Sequence, residues 1–165
     1  MENNTNIKSI CVEKNYGKRK NIKKIEQDWI ERKNQLLYIN QLFLEENLDK
    51  PHMYIKNEIN KKINSYINQD KSKNIHSNTS YINYNDILVK LVESKLKCKY
   101  CNNEINIIYC NKLQQDQWTL DRVDNYKGHN NENTIISCLK CNIQRGRINN
   151  KKFMFTKQLT IKKSN

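Results

Sequence analysis

Apolar residues recur along the first third of the chain at mixed spacings of three and four: Ile22, Ile25, Trp29, Ile30, Leu36, Leu37, Ile39 and Leu42. Between about residues 21 and 47 that rhythm predicts one or two helices, and Pro51, the only proline, is expected to end the element. Ile55, Ile59, Ile63 and Ile67 follow, one helical turn apart, with Lys and Asn between them. So narrow a stripe predicts a helix that needs a partner surface. From about Gln69 to Tyr84 the chain turns to Asn, Ser, Asp and Lys, the composition of a linker, and the domain boundary is expected there. Asp86 can then cap a short helix carrying Ile87, Leu88, Leu91, Val92 and Leu96.

Further along the period changes. Gln117 to Asn125 alternates apolar and polar residues like a half-buried strand, with Trp118 and Leu120 on one face. Thr134 to Ser137 can be the returning strand, and Gly128 falls in the polar loop between the two. A helix is expected from Cys138 to about Ile148. The class is α+β, with a mainly helical amino-terminal region (1–85), a compact module (86–155) and a short basic tail (156–165).

Charge sharpens the picture. The chain of 165 residues holds 30 Lys plus Arg against 17 Asp plus Glu, a net of +13, which points to a polyphosphate partner. An AT-biased coding sequence, rich in Asn, Lys and Ile, would also yield a basic protein. Residues 1–85 carry 15 basic and 10 acidic side chains, whereas 86–165 carry 15 and 7, so the excess concentrates in the second half. In the first half Lys18, Arg19, Lys20, Lys23 and Lys24 cluster, as a DNA-binding helix or a solvated tail would. No apolar run approaches the roughly 18 to 20 residues that cross a bilayer, and Met1 to Lys8 lacks a signal sequence. A soluble, intracellular protein with no membrane partner is expected.

Four of the six cysteines form two Cys-x-x-Cys pairs, Cys98/Cys101 and Cys138/Cys141. Two intervening residues let both thiolates of a pair face one ion from a tight turn, so the four predict a closed, structural Zn²⁺ site. Redox-active or disulfide-forming pairs are the alternative, but no thioredoxin-like βαβ pattern surrounds them. Cys11 and Cys110 fit no second pair and are expected to be plain thiols.

The stretch from Trp118 to Gly146, with Leu120-Asp-Arg-Val-Asp-Asn125, Asn133 and Cys138-Leu-Lys-Cys-Asn142, resembles the HNH endonuclease signature. It is most similar to a "Leu-Asp-Arg-Ile-Asp" subgroup met in phages and large DNA viruses. The resemblance covers roughly residues 86–155 and implies a small ββα-metal core, metal-dependent hydrolysis of DNA (with RNA as the other candidate) and products bearing 5′ phosphate. Residue by residue, it implies that Asp121 and Asn142 hold a catalytic Mg²⁺ or Mn²⁺ and that Asn133 braces the loop. Oxygen donors suit a hard cation that must keep open positions for water and phosphate.

One departure stands out. Where many HNH enzymes place a histidine as general base, directly after the aspartate, this chain has Arg122, which cannot accept a proton at neutral pH. Arg122 can instead clamp the scissile phosphate. His129, the module's only histidine, is the preferred base, with Asp124 and metal-bound hydroxide as alternatives. Lys127, Lys140, Arg145 and Arg147, together with Arg122, are the candidate phosphate contacts. Trp118 and Tyr126 are expected to pack rather than to stack on bases. A zinc-dependent nucleic-acid binder that has lost cleavage is the rival function, and a zinc ribbon docking another protein is the third.

Overall fold

A computed structural model describes residues 25–46, 48–76 and 80–159. The basic cluster Lys18 to Lys24, Cys11, Ile22 and the end of the basic tail lie outside these residues. The elements run α1 (Gln27–Ile30), α2 (Arg32–Leu44), α3 (Lys50–Ser72), α4 (Tyr84–Glu93), β1 (Trp118–Arg122), β2 (Thr134–Cys138), α5 (Leu139–Arg145) and α6 (Asn150–Gln158). The class is α+β, with a small two-stranded sheet and a cysteine cluster. No described helix is long and apolar enough to cross a membrane.

Pro51 opens a helix instead of closing one. α2 stops at Glu45, whose backbone turns left-handed (φ 57°), and Pro51 sits in the first turn of α3, where its missing N–H costs nothing. α3 also continues past Gln69, into the stretch whose polar composition reads as linker. Those polar side chains are a solvated helix face: Gln69, Lys71 and Ser72 are exposed, while Asp70 on the same turn is fully buried.

The isoleucine stripe of α3 finds its partner surface in α2 and α4. Ile55 and Ile59 are fully buried in one cluster with Ile39, Leu42, Ile87 and Leu91. That cluster continues without a break through Leu96, Tyr100, Ile105, Trp118 and Leu120 to Phe153. Polar ties cross the same ground. The amide oxygen of buried Gln35 accepts from the backbone N–H groups of Ile107 (2.7 Å) and Ile108 (3.0 Å), and Arg32 donates to the carbonyls of Ile105 (2.9 Å) and Lys95 (2.7 Å).

β1 and β2 are antiparallel, pairing Trp118 with Cys138 and Asp121 with Ile135. Residues Trp118 to Asp121 are buried on both faces, so the expected alternation of exposure is lost. Tyr66 of α3 meets the edge of β1, its hydroxyl accepting from Leu120 N–H (3.0 Å), and α5 packs against both strands. α5 is shorter than its pattern suggests because Gly146 (φ 53°) breaks it, and a separate α6 follows. Asn149 caps α6 by accepting from the N–H groups of Lys151 and Lys152.

Candidate functional site

The four paired cysteines converge. The Sγ atoms of Cys98, Cys101, Cys138 and Cys141 lie within 4.8 Å of one another. Tetrahedral zinc with bonds of about 2.3 Å sets sulfur–sulfur edges near 3.8 Å, so a slight contraction suffices. Proton sharing among the sulfurs points the same way. The hydrogen bond from Cys138 draws the Cys98 thiol down to about 5, that same bond pushes Cys138 up, and burial pushes Cys141 up to about 12. One thiolate is favoured and its neighbours resist ionising, a conflict that a divalent cation relieves. The cluster can therefore hold a metal such as zinc. Cys110 takes no part in the cluster and is disulfide-bonded, not the plain thiol its lone position suggests.

The cysteine knuckle also reaches the sheet. Tyr100, between Cys98 and Cys101, is fully buried, packs edge-on against Phe153, and donates its hydroxyl to Asp121 Oδ2 (2.5 Å). Arg145, on α5, meets the same carboxylate in bidentate fashion, Nε to Oδ2 at 2.5 Å and Nη2 to Oδ1 at 2.8 Å. It also donates to the Arg122 carbonyl and to Asn125 Oδ1, both at 2.7 Å. Expected on backbone phosphates, Arg145 is instead 2% exposed, because α5 turns it under the strand. Three of the roughly four lone-pair directions of Asp121 are thus taken, and one on Oδ1 is left for a cation.

Asn142 spends its amide nitrogen on Thr119 Oγ1 (3.1 Å) and the Leu120 carbonyl (3.2 Å), which leaves its amide oxygen as the free donor atom. Asp121 and Asn142 line one cleft of about 940 Å³, shared with Arg122, Asp124, His129 and Arg147. A carboxylate oxygen and an amide oxygen lining one open cleft are donors of the type a hard divalent cation takes, although the guanidinium of Arg145 competes for the same acid.

Asn133 knits the loop between the strands. Its oxygen accepts from Asp124 N–H (2.8 Å), and its nitrogen donates to the carbonyls of Asp124 (2.9 Å) and Gly128 (3.0 Å). Asp124 Oδ1 accepts from Tyr126 N–H (2.9 Å), so this carboxylate shapes the turn. Lys127 and Lys140 are exposed but do not line the cleft, whereas Arg147 is exposed and does. Trp118 is fully buried under Lys62, whose ammonium lies 4.5 Å from the ring centroid and which burial pushes down to about 7. Tyr126 does not pack as expected and is 90% exposed.

His129 has a partner from the other half of the chain. Asp70 of α3 accepts from the ring at Nδ1 (2.8 Å to Oδ1) and from the His129 backbone N–H (2.6 Å to Oδ2). Tyr66 stacks on the imidazole at 4.4 Å, and Arg122 lies 3.6 Å from Asp70 Oδ1. Burial holds the His129 pKa below the usual 6.5, against the pull of Asp70 and with help from Arg122 and Lys73. The ring is thus neutral at pH 7. With Nδ1–H fixed on the carboxylate, Nε2 carries the lone pair. Gly128 permits the approach, since a Cβ there would sit 2.6 Å from the Ile75 carbonyl oxygen and 2.9 Å from Asp70 Oδ2.

No family model, curated protein or solved structure matches this chain. The chemistry of the cleft is therefore the basis for assigning a function. Sequence reasoning missed Asp70, Tyr100 and the Arg145 to Asp121 pairing. An acidic residue in phase with the Ile63 and Ile67 stripe was the one available sign of Asp70, masked by the polar residues around it.

Proposed function

We propose that the protein is a metal-dependent endonuclease of HNH type that hydrolyses phosphodiester bonds in DNA. The observation that carries the proposal is His129, held through Nδ1 by buried Asp70, in a cleft shared with Arg122, Asp121 and Asn142. The order strand, loop, strand, helix from Trp118 to Arg145, with paired cysteines at both ends, supports a ββα-metal core stapled by Zn²⁺.

In the mechanism, His129 Nε2 accepts a proton from the attacking water as its oxygen bonds to phosphorus. Asp70 holds the ring in the tautomer that leaves Nε2 free and stabilises the imidazolium that forms. Arg122, braced by Asp70 and the Lys127 carbonyl, donates to a non-bridging phosphoryl oxygen. Asp121 and Asn142 would hold a Mg²⁺ or Mn²⁺ ion, which would supply Lewis-acid stabilisation of the departing 3′ oxygen. The bond from phosphorus to that oxygen breaks, the 3′ oxygen takes a proton from solvent to become a hydroxyl, and the other fragment keeps the 5′ phosphate.

A second reading, a zinc-dependent nucleic-acid binder without cleavage, draws on the neutralisation of Asp121 by Arg145. Nicking of supercoiled plasmid by the zinc-loaded full chain with Mg²⁺ or Mn²⁺ separates the two. Activity is expected from the wild type and is expected to be lost in Asp121→Asn, Asn142→Ala and His129→Ala variants that remain folded. DNA binding without cleavage under either ion would move the assignment to the binder.

A further inference from the structure

The catalytic reading leaves unexplained why the same cleft is rimmed by apolar side chains. Tyr126 is 90% exposed, Ile143 64% and Ile148 50%, and all three line the cleft that holds Arg122 and His129. Single exposed apolar residues need no explanation, but three around one charged cleft do. Among the described residues no aromatic ring or cation stacks on Tyr126.

The ring stands on a braced support. Tyr126 N–H is held by Asp124 Oδ1, and on the preceding residue Asn125 Nδ2 donates to the Gly146 carbonyl (3.0 Å). On the following residue the Lys127 carbonyl accepts from Asn133 Nδ2 (3.3 Å). Little backbone freedom is left to lose when something settles on the ring.

Charge names the occupant. Lys73, Arg122 and Arg147 line the same cleft and complement a phosphate backbone. In a paired duplex the faces of the bases are buried in the stack and cannot meet a tyrosine, whereas an unpaired strand offers phosphates and base faces together. The cleft, of about 940 Å³, has room for a base with its sugar and the adjoining phosphates.

We infer that the DNA strand enters this cleft locally unpaired, with a base stacked on Tyr126 and flanked by Ile143 and Ile148. The inference rests on the nuclease reading only for the identity of the strand as DNA.

The test is binding, not cleavage. Zinc-loaded full chain without added Mg²⁺ or Mn²⁺ is titrated into oligonucleotides carrying 2-aminopurine, as a single strand, a full duplex and a duplex with a central unpaired bubble. Single strand and bubble are expected to bind at least tenfold tighter than duplex and to lose 2-aminopurine fluorescence on stacking. Tyr126→Ala is expected to cost the unpaired substrates about tenfold to a hundredfold while leaving duplex binding unchanged, and Tyr126→Phe to keep most of the affinity. Because Tyr126 is so exposed, neither variant threatens folding.

Equal affinity for duplex and unpaired DNA, or an equal loss on both from Tyr126→Ala, would overturn the inference. Tyr126-dependent binding of unpaired DNA in a protein that cuts nothing would sink the nuclease reading and leave this one standing. Cleavage of duplex with no preference for unpaired strands would do the reverse.

Discussion

Replacing Asp70 with asparagine exchanges one oxygen for an NH₂ group and keeps the shape, and the structure fixes what must follow. The carboxylate accepts from the His129 backbone N–H and, through its other oxygen, from ring Nδ1. The backbone donor cannot become an acceptor, so the amide oxygen of the introduced side chain is expected to turn to it and the NH₂ group to face Nδ1. Nδ1 must then accept, which moves the ring proton to Nε2, the atom that should receive the proton from water. Loss of a positioned base, or of the carboxylate that sets its tautomer, costs about 10²- to 10⁴-fold in rate, on the order of 3 to 5 kcal/mol in barrier. The charge-assisted bonds become neutral ones, so stability should fall by about 1 to 3 kcal/mol. The assay is the rate of plasmid nicking against pH, with denaturant unfolding alongside. Wild type should lose activity as pH falls below about 6.5, because burial keeps the folded pKa under that value. Asp70 is an influence that raises this pKa, so in Asp70→Asn the acid limb should move to still lower pH even as the plateau drops. A full plateau with an unmoved acid limb would refute the dyad, and a stability loss alone would reduce Asp70 to a structural residue.

Other expectations follow from the same contacts. Gly128→Ala would press a methyl against the Ile75 carbonyl and Asp70, and urea unfolding should show a loss of about 1 to 3 kcal/mol, with slower nicking. Arg145→Ala strands the buried Asp121 carboxylate without its cation, and calorimetry should show destabilisation of about 3 to 5 kcal/mol, more than for Arg147→Ala at the exposed cleft rim. Metal removal by a strong chelator, or Cys141→Ser, should abolish cooperative unfolding of the sheet region by circular dichroism, with one zinc per chain restored on reloading. His129 contributes stability that is fully present above its unfolded pKa near 6.5 and lost as pH falls through its depressed folded value, so His129→Gln should flatten the pH dependence of unfolding in that window.

Much of this architecture can be read from local pattern. The spacing within each cysteine pair and the two strands around Gly128 depend on residues near one another in sequence, and the brace at Asn133 is implied by the resemblance to the HNH signature. What sequence hid is long-range. Asp70 and His129 are 59 residues apart, Tyr100 and Asp121 are 21 apart, and Asp121 and Arg145 are 24 apart. Nothing in periodicity couples them. Asp70 was further masked by company: an acidic residue among Asn, Gln, Lys and Ser reads as solvent-facing, and only packing turns it inward. Arg145 was masked by charge, since a cation on a short basic helix looks the same whether it points at phosphate or under the neighbouring strand. Tyr126 inverts the case, because its aromatic character suggested burial and the turn that Asp124 and Asn133 build holds it in water.

The seat of Asp70 on α3 bears on how this protein could be cut, grafted or borrowed. A fragment beginning at residue 86 would keep both cysteine pairs, Asp121, Asn142 and His129. It would nonetheless leave behind the carboxylate that orients the imidazole, the Tyr66 ring stacked on it and the Lys62 ammonium over Trp118. Fusions that transplant this site onto another domain should therefore carry the helices as part of the engine, not trim them as a handle.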